Sequence, residues 1–406
     1  MNEILHGQGG APGDRPRQAR PPAWTHEVVV MRPRSDAEDT PLERQPPLLR
    51  RLLESGDAQP VFDATSSAPQ PGESGFLPEV IVVRLNGEEA TRTVLERLQR
   101  EDRLAEIFVA PPRYVLQRAS RARGGRGGMS MNDWGMAAVG RDLAKVDASG
   151  ITIAVVDSGV DAHHPDLVGV IADYVNCCVP ESDKDLEGHG THVCGILAAS
   201  GKMRGVSNAR LAVFKGLGQH YSAANYYRAL RGACIRAKIV NLSLGGPALD
   251  PVEELIIKAA VGSGVLVVAA TGNEDDDGSY PWYPAALAGV LAVGAVDDKL
   301  ARADFSNFGP HVALVAPGVD IWSTVPTYQS VKFGRTCDYG ACEGTSMAAP
   351  FVSGMAACLA AQLGTTDART IREKLPVKRC PGQSCRTEEL GAGLLHWTGP
   401  LELSQA

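Results

Sequence analysis

Apolar positions fall in two patterns along the chain. In the first quarter, residues 27–31, 59–62, 80–85 and 105–109 are short apolar runs that predict strands. Between them, residues 41–54 carry Leu42, Leu48, Leu49, Leu52 and Leu53, and residues 88–101 set Ala90, Val94 and Leu98 on one helical face. Residues 66–75 form a Ser/Pro/Gly loop. The order strand–helix–strand–strand–helix–strand predicts a small α+β, ferredoxin-like unit. From residue 133 onward the pattern changes. Fully apolar strands at 151–156, 211–214, 239–242, 265–270 and 290–296 alternate with helices at 190–199, 223–237, 252–262 and 346–362, and residues 366–375 add a further helix. Short apolar strands alternating with helices predict a parallel sheet covered on both faces, an α/β architecture.

Composition narrows the classes. With 406 residues, two to three units are expected at ~150 residues each. Hydrophobic residues at 44% and charged residues at 21% exclude wholesale disorder and a collagen-like rod. A net charge of −7 argues against nucleic acid as a partner. No run of eighteen apolar residues is evident, so no membrane span is expected. Four segments are expected: a disordered stretch at 1–25, the small unit at 26–118, an Arg/Gly-rich linker at 119–132, and the large unit at 133–400. Residues 1–20 lack the roughly 7–15 apolar residues of a secretory signal, so a cytoplasmic location is expected, with non-standard export as the alternative. Nine cysteines are too few for a disulfide scaffold, and the odd number leaves at least one thiol unpaired. Cys337 with Cys342, or Cys380 with Cys385, would close small loops under oxidising conditions.

Three motifs carry chemistry. Val155-Val156-Asp157-Ser158-Gly159 puts a carboxylate at the end of a buried strand, where open α/β sheets bind ligands. Gly188-His189-Gly190-Thr191-His192 presents an imidazole at a helix start. Gly344-Thr345-Ser346-Met347-Ala348 opens a helix with a hydroxyl, where unpaired amides favour developing negative charge. Taken singly, each also reads as a cap, a loop or a turn. Together, in the order Asp, His, Ser, they resemble the motifs of the subtilisin-like serine proteases (peptidase S8). The resemblance covers roughly residues 133–363.

That resemblance implies a three-layer α/β/α sandwich, a peptide-bond hydrolase, and a triad of Asp157, His189 and Ser346. It makes Ser346 the nucleophile, His189 its base and Asp157 the group that orients the ring. Ala270-Thr271-Gly272-Asn273 resembles the family's oxyanion segment, with the Asn273 amide and the Ser346 N–H as donors. Ser243, Leu244 and Gly245 resemble the edge beside which a substrate adds as a strand. Residues 26–118 resemble the inhibitor-like propeptide of the family, which makes the protein's own N-terminal unit an intramolecular inhibitor and partner beside protein or peptide substrates. Glu274-Asp275-Asp276-Asp277 flanks the expected specificity pocket; it reads either as a solvated loop or as an attraction for a basic residue. With Arg118 near the end of the propeptide-like region, self-cleavage after Arg118 or another Arg of the linker is expected.

The sequence also departs from the family. Between Gly218 and Tyr221 the chain is shorter than usual, which leaves open how residues three and four before the cut are held. The loop at 200–205 is short and lacks the six to eight oxygens that Ca²⁺ needs, although Asp166 resembles a family ligand. No metal or organic cofactor is expected in the chemistry, no calcium at that loop, and calcium elsewhere is left open. His192 and the pair His163-His164 read as packing residues; zinc at His189 and His192 is disfavoured because no His-Glu-x-x-His motif is present. A non-catalytic binding protein and an esterase or acyltransferase on the same fold are the rival readings.

Overall fold

The computed structural model describes residues 25–32, 45–61, 79–103, 105–119, 134–141, 146–334, 338–378 and 387–397. Residues 1–24 of the expected disordered stretch, 120–132 of the expected linker and the expected loop at 66–75 lie outside the described residues.

The N-terminal unit contains β1 (Thr25–Arg32), α1 (Pro47–Ser55), β2 (Ala58–Pro60), β3 (Glu79–Asn86), α2 (Glu88–Glu101) and β4 (Glu106–Val109). Its sheet runs β2-β3-β1-β4 with every neighbouring pair antiparallel. This is the expected α+β order. Successive residues of a strand point to opposite faces. Val28 and Val30 therefore pack with Leu48, Leu49 and Leu98 under the two helices, whereas Val29, Val80 and Val82 pack against the large unit. Burial on both faces explains why β1 and β3 read as unbroken apolar runs. Pro47 takes the first helical position of α1, where its missing N–H costs nothing, so the helix starts later than residue 41.

Two short strands follow, β5 (Tyr114–Val115) and β6 (Arg118–Ala119), then α3 (Trp134–Ala138). The large unit continues through β7 (Thr152–Asp157), β8 (Ile171–Asn176), α4 (His189–Ala198), β9 (Arg210–Lys215), α5 (Ala223–Arg236), β10 (Ile239–Leu242), β11 (Leu244–Gly245), α6 (Pro251–Gly262), β12 (Leu266–Ala270), β13 (Leu291–Val296) and β14 (Val312–Pro317). It ends with β15 (Ile321–Thr324), β16 (Tyr339–Glu343), α7 (Thr345–Leu363), α8 (Ala368–Lys374), β17 (Val377–Lys378), α9 (Thr387–Leu390) and β18 (Leu394–Leu395).

Nine of these strands form one sheet in the order β17-β18-β14-β13-β12-β10-β7-β9-β8, and only β17 runs antiparallel to its neighbour. Side chains of α4 and α7 share one core with Ile153, Val155 and Val268; side chains of α5 and α6 share another with Ala154, Val156 and Val267. The result is the expected three-layer α/β/α sandwich. Helix α7 is the apolar exception in the sequence. It is long and apolar enough to cross a membrane, yet 83% of that stretch is buried, so it serves as the core helix. Strand β8 escapes the apolar pattern because it is a half-exposed edge strand with Asp173 and Asn176 in it.

Candidate active site

Asp157 ends β7 and His189 opens α4, so sheet and helix each deliver one group to the same rim. His189 Nδ1 lies 2.7 Å from Asp157 Oδ1, and both side chains are fully buried. A carboxylate partner puts the ring proton on Nδ1 and leaves Nε2 as the basic nitrogen. Asp185 was not singled out from sequence, yet it fixes this pair. Its carboxylate accepts hydrogen bonds from Ser158 Oγ (2.8 Å), the Gly188 N–H (2.8 Å), the Thr191 N–H (2.8 Å) and Thr191 Oγ1 (2.6 Å). The loop after β7 is thereby tied to the first turn of α4. An acid four residues ahead of a helix-opening His was the available signal, since carboxylates favour helix N-termini.

Ser346 is the second residue of α7 and is fully buried. Its Oγ donates to the Ser243 carbonyl at 2.8 Å and accepts the Leu116 N–H at 3.1 Å. His189 Nε2 is buried without a hydrogen-bond partner among the described residues. The structure thus joins Asp157 to His189 and holds the Ser346 hydroxyl on the other side, against Ser243 and Leu116. A chain of hydrogen bonds anchors Ser346 from behind: Ser353 Oγ to Asn241 Oδ1 (2.9 Å), Asn241 Nδ2 to Ser243 Oγ (3.0 Å), and Ser243 Oγ to the Ser346 carbonyl (2.9 Å).

The protein's own chain crosses this site. Strand β5 pairs antiparallel with β11, placing Val115 opposite Leu244 and Tyr114 opposite Gly245. Strand β6 pairs with β16 on the far side. Between them the Leu116 carbonyl accepts the Ser346 N–H at 3.3 Å. Asn273 Oδ1 accepts from the Thr345 N–H (2.9 Å) and Thr345 Oγ1 (3.0 Å), which turns its Nδ2 donor toward the cleft. Gly344 leaves room for this arrangement. A Cβ there would clash with the Leu116 oxygen and lie 3.1 Å from Asn273 Nδ2, and its φ of +151° is one that side chains rarely adopt. The carbonyl facing Ser346 is therefore that of Leu116, two residues before the Arg118 expected from sequence.

Each carboxylate of the acidic run has a partner within the fold. Glu274 Oε2 accepts from the Asn273 N–H (2.7 Å) and Asn307 Nδ2 (3.2 Å). Asp275 pairs with Arg302 at 2.8 Å. Asp276 and Asp277 accept from backbone N–H groups of residues 278–280. Turn N–H groups take Asp276 and Asp277, as short acids in tight turns commonly arrange, while Arg302 and Asn307 reach in from another loop to Asp275 and Glu274. Leu116 meets an apolar wall, with a Cβ on Gly245 lying 3.1 Å from Leu116 Cδ1 and 3.6 Å from the Trp282 ring.

Comparisons with known proteins give the family. The family model described as Peptidase_S8, subtilase family, matches residues 148–378. The chain is 35% identical to the major intracellular serine protease of Bacillus subtilis (strain 168) over 281 residues, 64% of this chain and 85% of that protein. It is 38% identical to subtilisin of Bacillus pumilus over 239 residues, 56% of this chain and 82% of that protein. It is 36% identical to the intracellular serine protease of Paenibacillus polymyxa over 285 residues, 63% and 82% respectively. The chain belongs to the subtilase family.

Three further side chains of this subtilase take structural positions. His192 is fully buried, hydrogen-bonds through Nε2 to the Ile321 (3.0 Å) and Gly340 (3.2 Å) carbonyls, and stacks on Phe333. Burial, reinforced by the nearby His189, pushes its pKa down to about 3. His164 bonds to the Asp338 carbonyl at 2.8 Å and accepts the Asp166 N–H at 3.1 Å. The Asp166 carboxylate accepts from the Lys202 (3.0 Å) and Met203 (2.6 Å) N–H groups and from the Tyr339 hydroxyl (3.0 Å). Among the described residues no cluster of three or more His, Cys, Asp or Glu is arranged to hold a metal. The described cysteines, Cys177, Cys178, Cys194, Cys234, Cys342 and Cys358, form no disulfide; Cys337, Cys380 and Cys385 lie outside the described residues.

Proposed function

We propose that this subtilase is a serine endopeptidase acting through Asp157, His189 and Ser346. The observation that carries the reading is the Leu116 carbonyl on the Ser346 N–H at 3.3 Å, with the Leu116 N–H on the Ser346 hydroxyl. A peptide bond is thus laid across a hydroxyl at a helix N-terminus beside a buried Asp–His pair. For reaction, the Ser346 hydroxyl turns from Ser243 toward His189 Nε2, which takes its proton as Oγ attacks the carbonyl carbon. Negative charge develops on the carbonyl oxygen, where the Ser346 N–H and Asn273 Nδ2 stabilise it. The imidazolium, held by Asp157, gives its proton to the leaving amine. Water then cleaves the ester on Ser346 by the same steps in reverse. Substrates bind as a strand beside Ser243, Leu244 and Gly245, so most of the affinity is main-chain and side chains add preference.

The N-terminal unit acts in this reading as an intramolecular inhibitor, cut by the enzyme between Leu116 and Gln117. Its grip reaches beyond the cleft. Glu27 is buried and accepts from the Ala223 N–H (2.5 Å) and Ser222 Oγ (3.0 Å), capping α5 from the opposite unit. Arg228 reaches back to the Val61 (2.9 Å) and Pro60 (2.8 Å) carbonyls. Two relatives named as intracellular proteases support a cytoplasmic setting, in which such restraint has an evident use. In this reading no calcium is held at residues 200–205, where the Lys202 and Met203 N–H groups and the Tyr339 hydroxyl occupy the Asp166 carboxylate; calcium should shift the melting temperature equally in the wild type and Asp166→Asn, and a calcium-dependent rise of several degrees lost in Asp166→Asn would refute this.

Labelling with a fluorophosphonate probe, followed by digestion of an unfolded protein, tests the function. Labelling at Ser346 with cleavage of amide bonds supports it. Absence of labelling would favour a binding protein, and turnover of esters alone would favour an acyltransferase or esterase.

A further inference from the structure

Three residues before Leu116, the chain drops an arginine into the interior. Arg113 and Glu253 both have fully buried side chains. Arg113 Nε donates to Glu253 Oε1 (2.9 Å) and Nη2 to Oε2 (2.6 Å), a bidentate pair. The Tyr226 hydroxyl from α5 also donates to Glu253 Oε1. Asp250 lies one helical turn earlier, caps α6 through the Val252 (2.9 Å) and Glu253 (3.2 Å) N–H groups, and accepts the Tyr227 hydroxyl at 2.7 Å. Burial, with Glu253 adding repulsion, pushes the Asp250 carboxyl up to about 6. The guanidinium fits closely. Gly246 forms part of its wall, and a Cβ there would come within 2.9 Å of Arg113 Nη1. Apart from Arg113, every one of these residues belongs to the unit that carries Ser346.

We propose that Glu253 makes this cavity a subsite that selects arginine at the fourth residue before the scissile bond in proteins cut in trans. The inference rests on the protease reading and names a substrate class for it. Two features carry it beyond a fastening of the N-terminal unit. First, the β5–β11 pairing fixes the register, so any substrate strand lying on Leu244 and Gly245 in that register delivers its fourth residue to Glu253. Second, departure of the cleaved segment removes the only cation paired with Glu253 among the described residues, and an incoming guanidinium restores the bidentate pair. Lysine offers a point charge in place of two parallel N–H donors, so it ranks below arginine. The missing residues between Gly218 and Tyr221, which left this side of the cleft open in the sequence, coincide with a pocket built from α5 and α6 instead.

The test uses the full chain expressed as active enzyme, titrated with the fluorophosphonate, and peptides X-Tyr-Val-Leu-Gln in which X is Arg, Lys, citrulline, Ala or Glu. Arg should exceed citrulline and Ala by roughly 100-fold in kcat/KM, the scale for removing one partner of a buried, hydrogen-bonded charge pair. Lys should fall between, and Glu should be the worst. In Glu253→Leu the preference for Arg over Ala should vanish or invert while fluorophosphonate labelling persists. Arg and Ala peptides cleaved within threefold of each other by the wild-type enzyme would overturn the subsite while leaving the protease reading intact. Failure of labelling and of all cleavage would instead overturn the protease reading.

Discussion

The corner around Ser346 and the cavity around Glu253 hold the same stretch of chain in opposite ways. At Ser346 the contacts are to backbone: Leu116 is held through its N–H and its carbonyl, and Val115 and Tyr114 through strand pairing. At Glu253 the contact is to a single side chain, the Arg113 guanidinium. The first kind of contact is open to every residue that carries an N–H, proline alone excluded, so selection there is left to side-chain contacts such as that of Leu116 with the wall at Gly245 and Trp282. The second rejects nearly every residue. The difference separates chemistry from selection: one end of the cleft cuts, and the other decides what is presented to be cut.

Substitutions can break each end separately. The largest effect belongs to the cutting end. Ser346→Ala or His189→Ala should lower kcat by ~10⁶-fold on every peptide, Arg-bearing or not, a magnitude taken from subtilisin itself. Asn273→Leu removes one oxyanion donor and should cost roughly 10²–10³-fold in kcat with little change in KM. A fall in KM preference for Arg peptides in that variant would contradict the separation. At the selecting end, Arg113→Leu in the Ser346→Ala background leaves Glu253 buried and bare. It should destabilise the full chain by about 3–5 kcal/mol, whereas Arg113→Leu with Glu253→Leu should recover most of that loss. Urea denaturation of the four combinations reads the coupling directly.

The smallest effect is a control on α4, outside both ends. His192 stays neutral in the fold down to about pH 3, whereas in the unfolded chain it protonates near pH 6.5. Unfolding between these values therefore takes up a proton, so stability present above pH 6.5 declines as pH falls toward 3, by up to about 1.4 kcal/mol per pH unit. His192→Gln should flatten that slope by one proton without altering the Arg preference. An unchanged slope of denaturation midpoint against pH would rule this out.

The two ends also differed in how far the sequence disclosed them. Asp157, His189 and Ser346 each sit in a short motif whose glycines serve close backbone approach, so the chemistry is written locally, and the structure brings their elements to one rim. Helix α2 and strand β10 were read at their observed boundaries because their apolar spacing is local as well. Arg113 and Glu253 lie 140 positions apart, and neither is remarkable in its own neighbourhood. Only the docking of β5 on β11 joins them. The same holds for Leu116, whose place at Ser346 depends on a pairing register rather than on any neighbouring basic residue. Glu274, for which the sequence left two readings open, also depends on distant chain: its carboxylate accepts from Asn307, 33 residues away, and from the adjoining Asn273 N–H.

Intact-mass analysis of the wild-type chain and of Ser346→Ala tests most directly whether the chain lying across Ser346 is held as a substrate. The geometry predicts an active wild-type enzyme that begins at Gln117, with the released fragment ending at Leu116, and a Ser346→Ala protein that keeps that bond. Active enzyme with the Leu116–Gln117 bond intact, or cut only after Arg118, would contradict it.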